Sequence, residues 1–158
     1  MSVSPESLPK SRVALVPVEP GDAEALVALR IAAMQESLER IGRFDPIRAR
    51  ERFLSGYSPE HTRHIEAEGQ RVGFVVVKPQ PEFVLLDHLY IQPISQGNSV
   101  GATVLARVIE EANSLRLPVR VGALRDSDSN RFYKLHGFRL VEQSEFDNYY
   151  IRTSENAP

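Results

Sequence analysis

The chain has no cysteine. Disulfides, thiolate metal sites and a cysteine nucleophile are therefore excluded, and a reducing compartment is compatible with the composition. Net charge is also scarce: 19 Lys and Arg against 21 Asp and Glu leave −2 at neutral pH. There is no global basic field for nucleic acid or a membrane surface. No apolar run approaches the ~20 residues that a membrane-spanning helix needs. The stretch Met1 to Lys10 is polar, carries Pro5 and Pro9, and lacks the basic-then-apolar order of a signal peptide. No internal repeat or low-complexity block interrupts the chain. These absences predict a cytoplasmic protein without nucleic-acid or membrane partners. They also predict a flexible tail over residues 1–11, a single domain over 12–152 and a second tail over 153–158.

What is present is ordinary for a globular domain. The 158 residues are 42% hydrophobic and 25% charged, enough to bury a core without covalent staples. Val13 to Val18 reads as a first strand. Asp22 can cap a helix whose apolar positions Val27, Ile31, Met34, Leu38 and Ile41 share one face, and Gly42 suits its end. Asp45-Pro46 opens a second, short helix that stops before Gly56. Thr62 to Ala67 reads as an edge strand. Glu68-Gly69-Gln70 is a hairpin turn, and Arg71 to Lys78, with Val72, Phe74, Val75, Val76 and Val77, is a strand buried on both faces.

A long apolar strand, Glu82 to Ile91, then meets Pro93. It leads through Gln96, Gly97, Asn98, Ser99, Val100, Gly101 and Ala102 into a helix that runs to Leu115. A strand that ends on a small-residue turn and a helix N-terminus is an anion site, because unpartnered N–H groups and the helix dipole converge there. The same residues can make an ordinary turn with Ser99 as N-cap. Pro118 precedes a strand from Val119 to Ala123, half-buried by its alternation. Ser127 to Asn130 opens a last short helix, which Gly137 closes. Phe138 to Glu142 and Phe146 to Arg152 make a hairpin. The order β-α-α-β-β-β-α-β-α-β-β predicts an α/β (α+β) fold. Its mixed, mostly antiparallel sheet of about seven strands is flanked by helices, with a parallel neighbour after the helical crossover.

Leu86-Asp87-His88-Leu89-Tyr90-Ile91-Gln92-Pro93, then Gln96 to Ala102, then Asn130 to Phe138 together resemble the GNAT superfamily of N-acyltransferases. Its phosphate-loop pattern is Gln/Arg-x-x-Gly-x-Gly/Ala. Gln96 and Gly101 match it, and Ser99 replaces the first glycine. Tyr133, Gly137 and Phe138 stand as in the family's Tyr-x-x-x-Gly-Phe motif, with Asn130 closer to Tyr133 than usual. The element order agrees over residues 12–152.

The resemblance implies acetyl-CoA as co-substrate and a primary amine, small-molecule or peptide, as acceptor. Residues 96–102 would then hold the pyrophosphate, mainly through backbone amides because the loop has no Lys or Arg. Leu89, Tyr90 and Ile91 would pair with the pantetheine arm where that strand splays from Val119–Ala123, and Asn130 would bond the cofactor or cap its own helix. Arg131 and Lys134 read as a solvated helix face or as partners of another phosphate. Tyr133 would protonate the departing thiolate; its alternative is a core aromatic. The Glu that many relatives carry on the central strand aligns with Leu85, which cannot act as a base. Asp87, His88, Glu36 and a water chain are the remaining candidates, with Asp87 and His88 on opposite faces of an unbulged strand.

Two competing readings are a non-catalytic acyl-CoA-binding sensor and an interaction domain. The latter would form a homodimer through the C-terminal hairpin with Phe146, Tyr149 and Tyr150. No metal site is expected: His61 and His64 lack further converging ligands and read as surface residues.

Overall fold

A computed structural model of the chain describes residues 12–40, 42–97 and 99–154. The elements are β1 (Val13–Pro17), α1 (Ala23–Arg40), α2 (Pro46–Ser55), β2 (Thr62–Ala67), β3 (Gln70–Pro79), β4 (Val84–Ile91), α3 (Val100–Ser114), β5 (Val119–Leu124), α4 (Ser129–Leu135), β6 (Arg139–Gln143) and β7 (Asp147–Arg152). The seven strands form one mixed, mostly antiparallel sheet in the order β1-β2-β3-β4-β5-β7-β6. The parallel pair is β4 with β5, on either side of the α3 crossover. No helix among the described residues is long and apolar enough to cross a membrane.

The chain divides into two compact units: residues up to Val76 with His88–Leu105, and Val77–Asp87 with the residues from Ala106 onward. In the first, β1, β2 and the start of β3 form antiparallel ladders from Val13↔Ala67 to Pro17↔Arg63 and from Thr62↔Val76 to Ala67↔Gln70. Glu68 and Gly69 take φ of +53° and +80° at the turn between β2 and β3, the left-handed pair that a tight hairpin demands. β2 lies between β1 and β3, so Thr62–Ala67 is not an edge strand; β1 is the edge on that side. The polar positions misled, because Thr62 and His64 are buried despite their chemistry.

Leu26, Val27, Phe53, Phe74 and Val76 make this unit's core, with Val18, Leu29, Ile31, Leu54, Tyr57 and Tyr90 packed against it. Ile41, the last residue of the apolar stripe read for α1, lies outside the described residues. Asp45 caps α2 as expected, its Oδ1 accepting from the Arg48 amide at 3.1 Å.

The second unit carries β5, β7 and β6. Their antiparallel ladders run from Val119↔Arg152 to Leu124↔Asp147 and from Arg139↔Ile151 to Gln143↔Asn148. α4 ends in a Schellman motif, in which Phe138 N–H donates to the Tyr133 carbonyl at 3.1 Å and Gly137 N–H to Lys134 at 3.3 Å. Of the expected C-terminal tail, Thr153 and Ser154 are described, and Ser154 is buried.

Candidate active site

The site begins where β4 stops. Pro93 cannot continue a ladder, and Pro93–Ser95 forms one 3-10 turn. Two bonds tie the turn back to the sheet: Gln92 N–H donates to the Val72 carbonyl at 2.7 Å, and Gln96 Nε2 to the Ile91 carbonyl at 2.8 Å. Gln96 therefore spends its side chain on the loop itself. Gly97 and Ser99 both have positive φ, +87° and +64°; Asn98 between them lies outside the described residues. Ser99 is thus where the chain most wants the glycine of the family pattern, and its hydroxyl-bearing Cβ carries backbone strain.

The turn delivers the chain into α3, anchored by Val100, which is buried. The first helical amide with a described i−4 partner is Thr103, which bonds the Ser99 carbonyl at 3.0 Å; the Thr103 hydroxyl donates to the same oxygen at 2.9 Å. The amides of Gly97, Ser99, Val100 and Gly101 have no acceptor among the described residues. Gly101 and Ala102 are half-buried in the first helical turn. A Cβ built on Gly97 would meet nothing within 4 Å. These amides stand at the positive end of a 15-residue helix.

β4 itself is described in two parts. In the second unit it pairs with β5 over Val84↔Val119, Leu85↔Arg120 and Leu86↔Val121. Those three pairs all lie within the second unit. Asp87, also in this unit, is half-buried and paired with Lys78 Nζ at 3.0 Å.

In the first unit, His88, Leu89, Tyr90 and Ile91 are all half-buried. His88 and Tyr90 share a face. Their rings lie 5.6 Å apart, with Phe74 at 5.2 Å from Tyr90 and Phe53 at 5.7 Å from His88. The Tyr90 hydroxyl donates to Met34 Sδ at 3.0 Å and lies 3.4 Å from His88 Nδ1. On its other side β4 is pressed close to β3: a Cβ on Gly73 would stand 2.0 Å from the Tyr90 carbonyl oxygen. Glu36, the third candidate base, is exposed on α1 and paired with Arg40 at 2.8 Å.

In the second unit, Tyr133 is buried on α4 among rings. Phe132 lies at 5.3 Å, Phe138 at 5.4 Å and Tyr150 at 6.3 Å. Asn130 spends its side chain on protein partners. Its Oδ1 accepts from Tyr150 Oη and Asn148 Nδ2, both at 2.8 Å, and its Nδ2 donates to the carbonyls of Leu124 at 2.7 Å and Ser127 at 2.8 Å. It fixes the β5–α4 turn against β7. Tyr150, for which the sequence allowed a dimer contact or a core position, is interior, while Tyr149 is exposed. Arg131 and Lys134 are exposed on α4.

His64 is not a surface residue. It is 3% exposed, and its Nε2 lies 2.7 Å from Asp22 Oδ2. That hydrogen bond, with the Glu19 amide and the charges of Arg71 and His64, holds the Asp22 carboxyl below its ordinary range against an opposing desolvation. Burial pushes the Tyr57 phenol up, as does the charge on Asp22.

Sequence reasoning passed over Arg30. It stands three residues after Val27 and four before Met34, inside the apolar stripe of α1. A cation in that stripe was the available signal. Its guanidinium lies 6.0 Å from the centre of the Tyr90 ring.

A family model described as the Acetyltransferase (GNAT) family matches residues 27–138. No curated protein sequence matches the chain. Among solved structures, the PaiA N-acetyltransferase of Thermoplasma acidophilum, in complex with coenzyme A, is similar at TM-score 0.73 and 16% identity, over 89% of this chain and 98% of its own. A GCN5-related N-acetyltransferase from Rhodopseudomonas palustris gives 0.72 and 20%, over 96% and 99%. An acetyltransferase from Thermus thermophilus gives 0.69 and 19%, over 89% and 96%. At these identities the likeness is one of fold.

Proposed function

Because the chain belongs to the GNAT family of acetyltransferases, we propose that it moves the acetyl group of acetyl-CoA onto a primary amine. The observation that carries this reading is the set of unengaged amides at Gly97, Ser99, Val100 and Gly101. Four N–H donors about a helix N-terminus suit a diphosphate, and the absence of Lys and Arg between Gln96 and Ala102 leaves the grip to the backbone. The main chain at Leu89–Ile91 would pair with the pantetheine arm as an added strand does.

Acetyl-CoA supplies an activated thioester carbonyl. The protein's part is to hold the amine against it and to move two protons. We assign the amine's proton to His88. Asp87 is paired with Lys78 and Glu36 with Arg40, whereas His88 lies on the aromatic face of β4 beside Tyr90. We assign protonation of the leaving thiolate to Tyr133, which stands at the tyrosine of the family motif and is held by three neighbouring rings.

The test is thiol release from acetyl-CoA across amines, peptides and aminoglycosides. Tyr133→Phe is expected to lower kcat by about 100-fold or more. An unchanged rate removes the acid role.

The same engaged carboxylates favour a second reading, a domain that binds acyl-CoA without turnover. Tight acetyl-CoA binding with no thiol released from any acceptor is its mark.

A further inference from the structure

Among the described residues, Arg30 is a half-buried cation without a counter-charge. Its Nε is buried and has no hydrogen-bond partner, and Arg30 makes no ion pair among the described residues. One turn away on α1 stand Leu26, Val27, Ala33 and Met34, none of them acidic. The carboxylates elsewhere on α1 are committed: Glu24 to Arg50, Glu36 to Arg40, and Glu39 to Gln35. What holds Arg30 in place is the face of the Tyr90 ring, and Tyr90 is itself fixed by its bond to Met34. A guanidinium kept partly out of water, aimed by an aromatic ring and given no protein anion, is arranged to receive an oxyanion from outside.

Two sources could supply that oxyanion: a phosphate of the cofactor or a carboxylate of the acceptor. The position of Arg30 favours the second. The amides of Gly97, Ser99, Val100 and Gly101 are the donors assigned to a diphosphate. Arg30 instead lies over Tyr90, whose hydroxyl is 3.4 Å from the nitrogen of His88, the group assigned to the amine. The surroundings are apolar and aromatic: Phe53, Phe74, Met34 and the two β4 rings. We propose that Arg30 anchors the carboxylate of the acceptor, and that the acceptor is an α-amino acid with an apolar side chain. Its amine would then be presented to His88. The proposal rests on the acyl-transfer reading for its chemistry, although the oxyanion site stands on Arg30 alone.

The experiment compares amines that differ only in the carboxylate, at saturating acetyl-CoA: phenylalanine with phenethylamine, and leucine with isoamylamine. The better amino acid is expected to exceed its partner in kcat/KM by about tenfold or more, as a charge-assisted hydrogen bond allows. Arg30→Met keeps the packed stem and is expected to bring that ratio below about twofold, with Arg30→Lys between the two. The KM for acetyl-CoA is expected to stay near the wild-type value in both variants.

Equal use of the partner amines by the wild type, or a ratio that survives Arg30→Met, overturns the proposal. A raised KM for acetyl-CoA instead also overturns it, by assigning Arg30 to the cofactor's phosphates. A calorimetric titration with N-acetylphenylalanine and with N-phenethylacetamide needs no turnover. Binding of the first alone, lost in Arg30→Met, supports the site even if acetyl-CoA is neither bound nor consumed, an outcome in which the acyl-transfer reading fails by itself. Absence of binding by N-acetylphenylalanine to the wild type overturns the site.

Discussion

Ser99 is the residue whose chemistry and geometry disagree most openly. Its φ of +64° belongs to glycine, and holding an L-residue there costs about 1–2 kcal/mol. Ser99→Gly is therefore expected to raise stability by about 0.5–1 kcal/mol, once the added freedom of the unfolded chain is subtracted. A denaturant midpoint that falls on substitution would mean that the serine hydroxyl holds the loop.

Asp22 gives the pH dependence. Its pKa is lowered from the ordinary 3.8, chiefly by His64, so its contribution is fully present above that value and is lost as pH falls through the depressed folded value. Asp22→Asn is expected to lower the melting temperature at neutral pH, and its gap to wild type is expected to close as pH falls through the depressed folded value. A gap that stays constant down to that pH contradicts the pairing.

At this scale the sequence was only partly legible. The loop residues could be picked out because spacing alone marks a turn before a helix. His64 and Arg30 could not, because a polar residue on a strand or helix looks solvated until its neighbours are known. The buried partner of His64 is 42 residues away in the chain, and Arg30 acquires meaning only beside Tyr90.

Among the elements, β4 decides the site. Its left side is set by Gly73, where any Cβ would collide with the Tyr90 carbonyl. Gly73→Ala is expected to cost about 1–3 kcal/mol, as overpacking and displaced backbone usually do. It should also weaken acetyl-CoA binding, since it moves Tyr90 and Ile91, and a variant of wild-type stability would show that β3 and β4 have room to part.

The strand's first three residues pair with β5. Hydrophobic period and punctuation were sufficient to read β3, β4, α3 and the Schellman end of α4. They failed for β2, where the run Thr62-Arg63-His64 resembles an edge. Which strands neighbour each other depends on pairings far apart in sequence, and local composition does not record them. Asn130 is a related case: its role is shared among Leu124, Ser127, Asn148 and Tyr150, contacts that only the assembled β5–α4–β7 corner creates.

For the whole molecule, family membership and a seven-stranded mixed sheet set the class of chemistry, and the residues set the particulars. The fold was readable because element order survives changes in individual side chains. The acceptor was not, because a family resemblance carries the cofactor chemistry and not the choice of amine.

The central claim is that main-chain amides at the start of α3 hold the diphosphate of acetyl-CoA. Thermal unfolding with CoA, dephospho-CoA and pantetheine tests it directly, since only a ligand that binds the folded state raises its stability. With ligand far above its Kd, CoA and dephospho-CoA are predicted to raise Tm by about 5 °C or more, and pantetheine, which lacks the diphosphate, by far less. An equal shift with pantetheine, or none with CoA, would contradict the account.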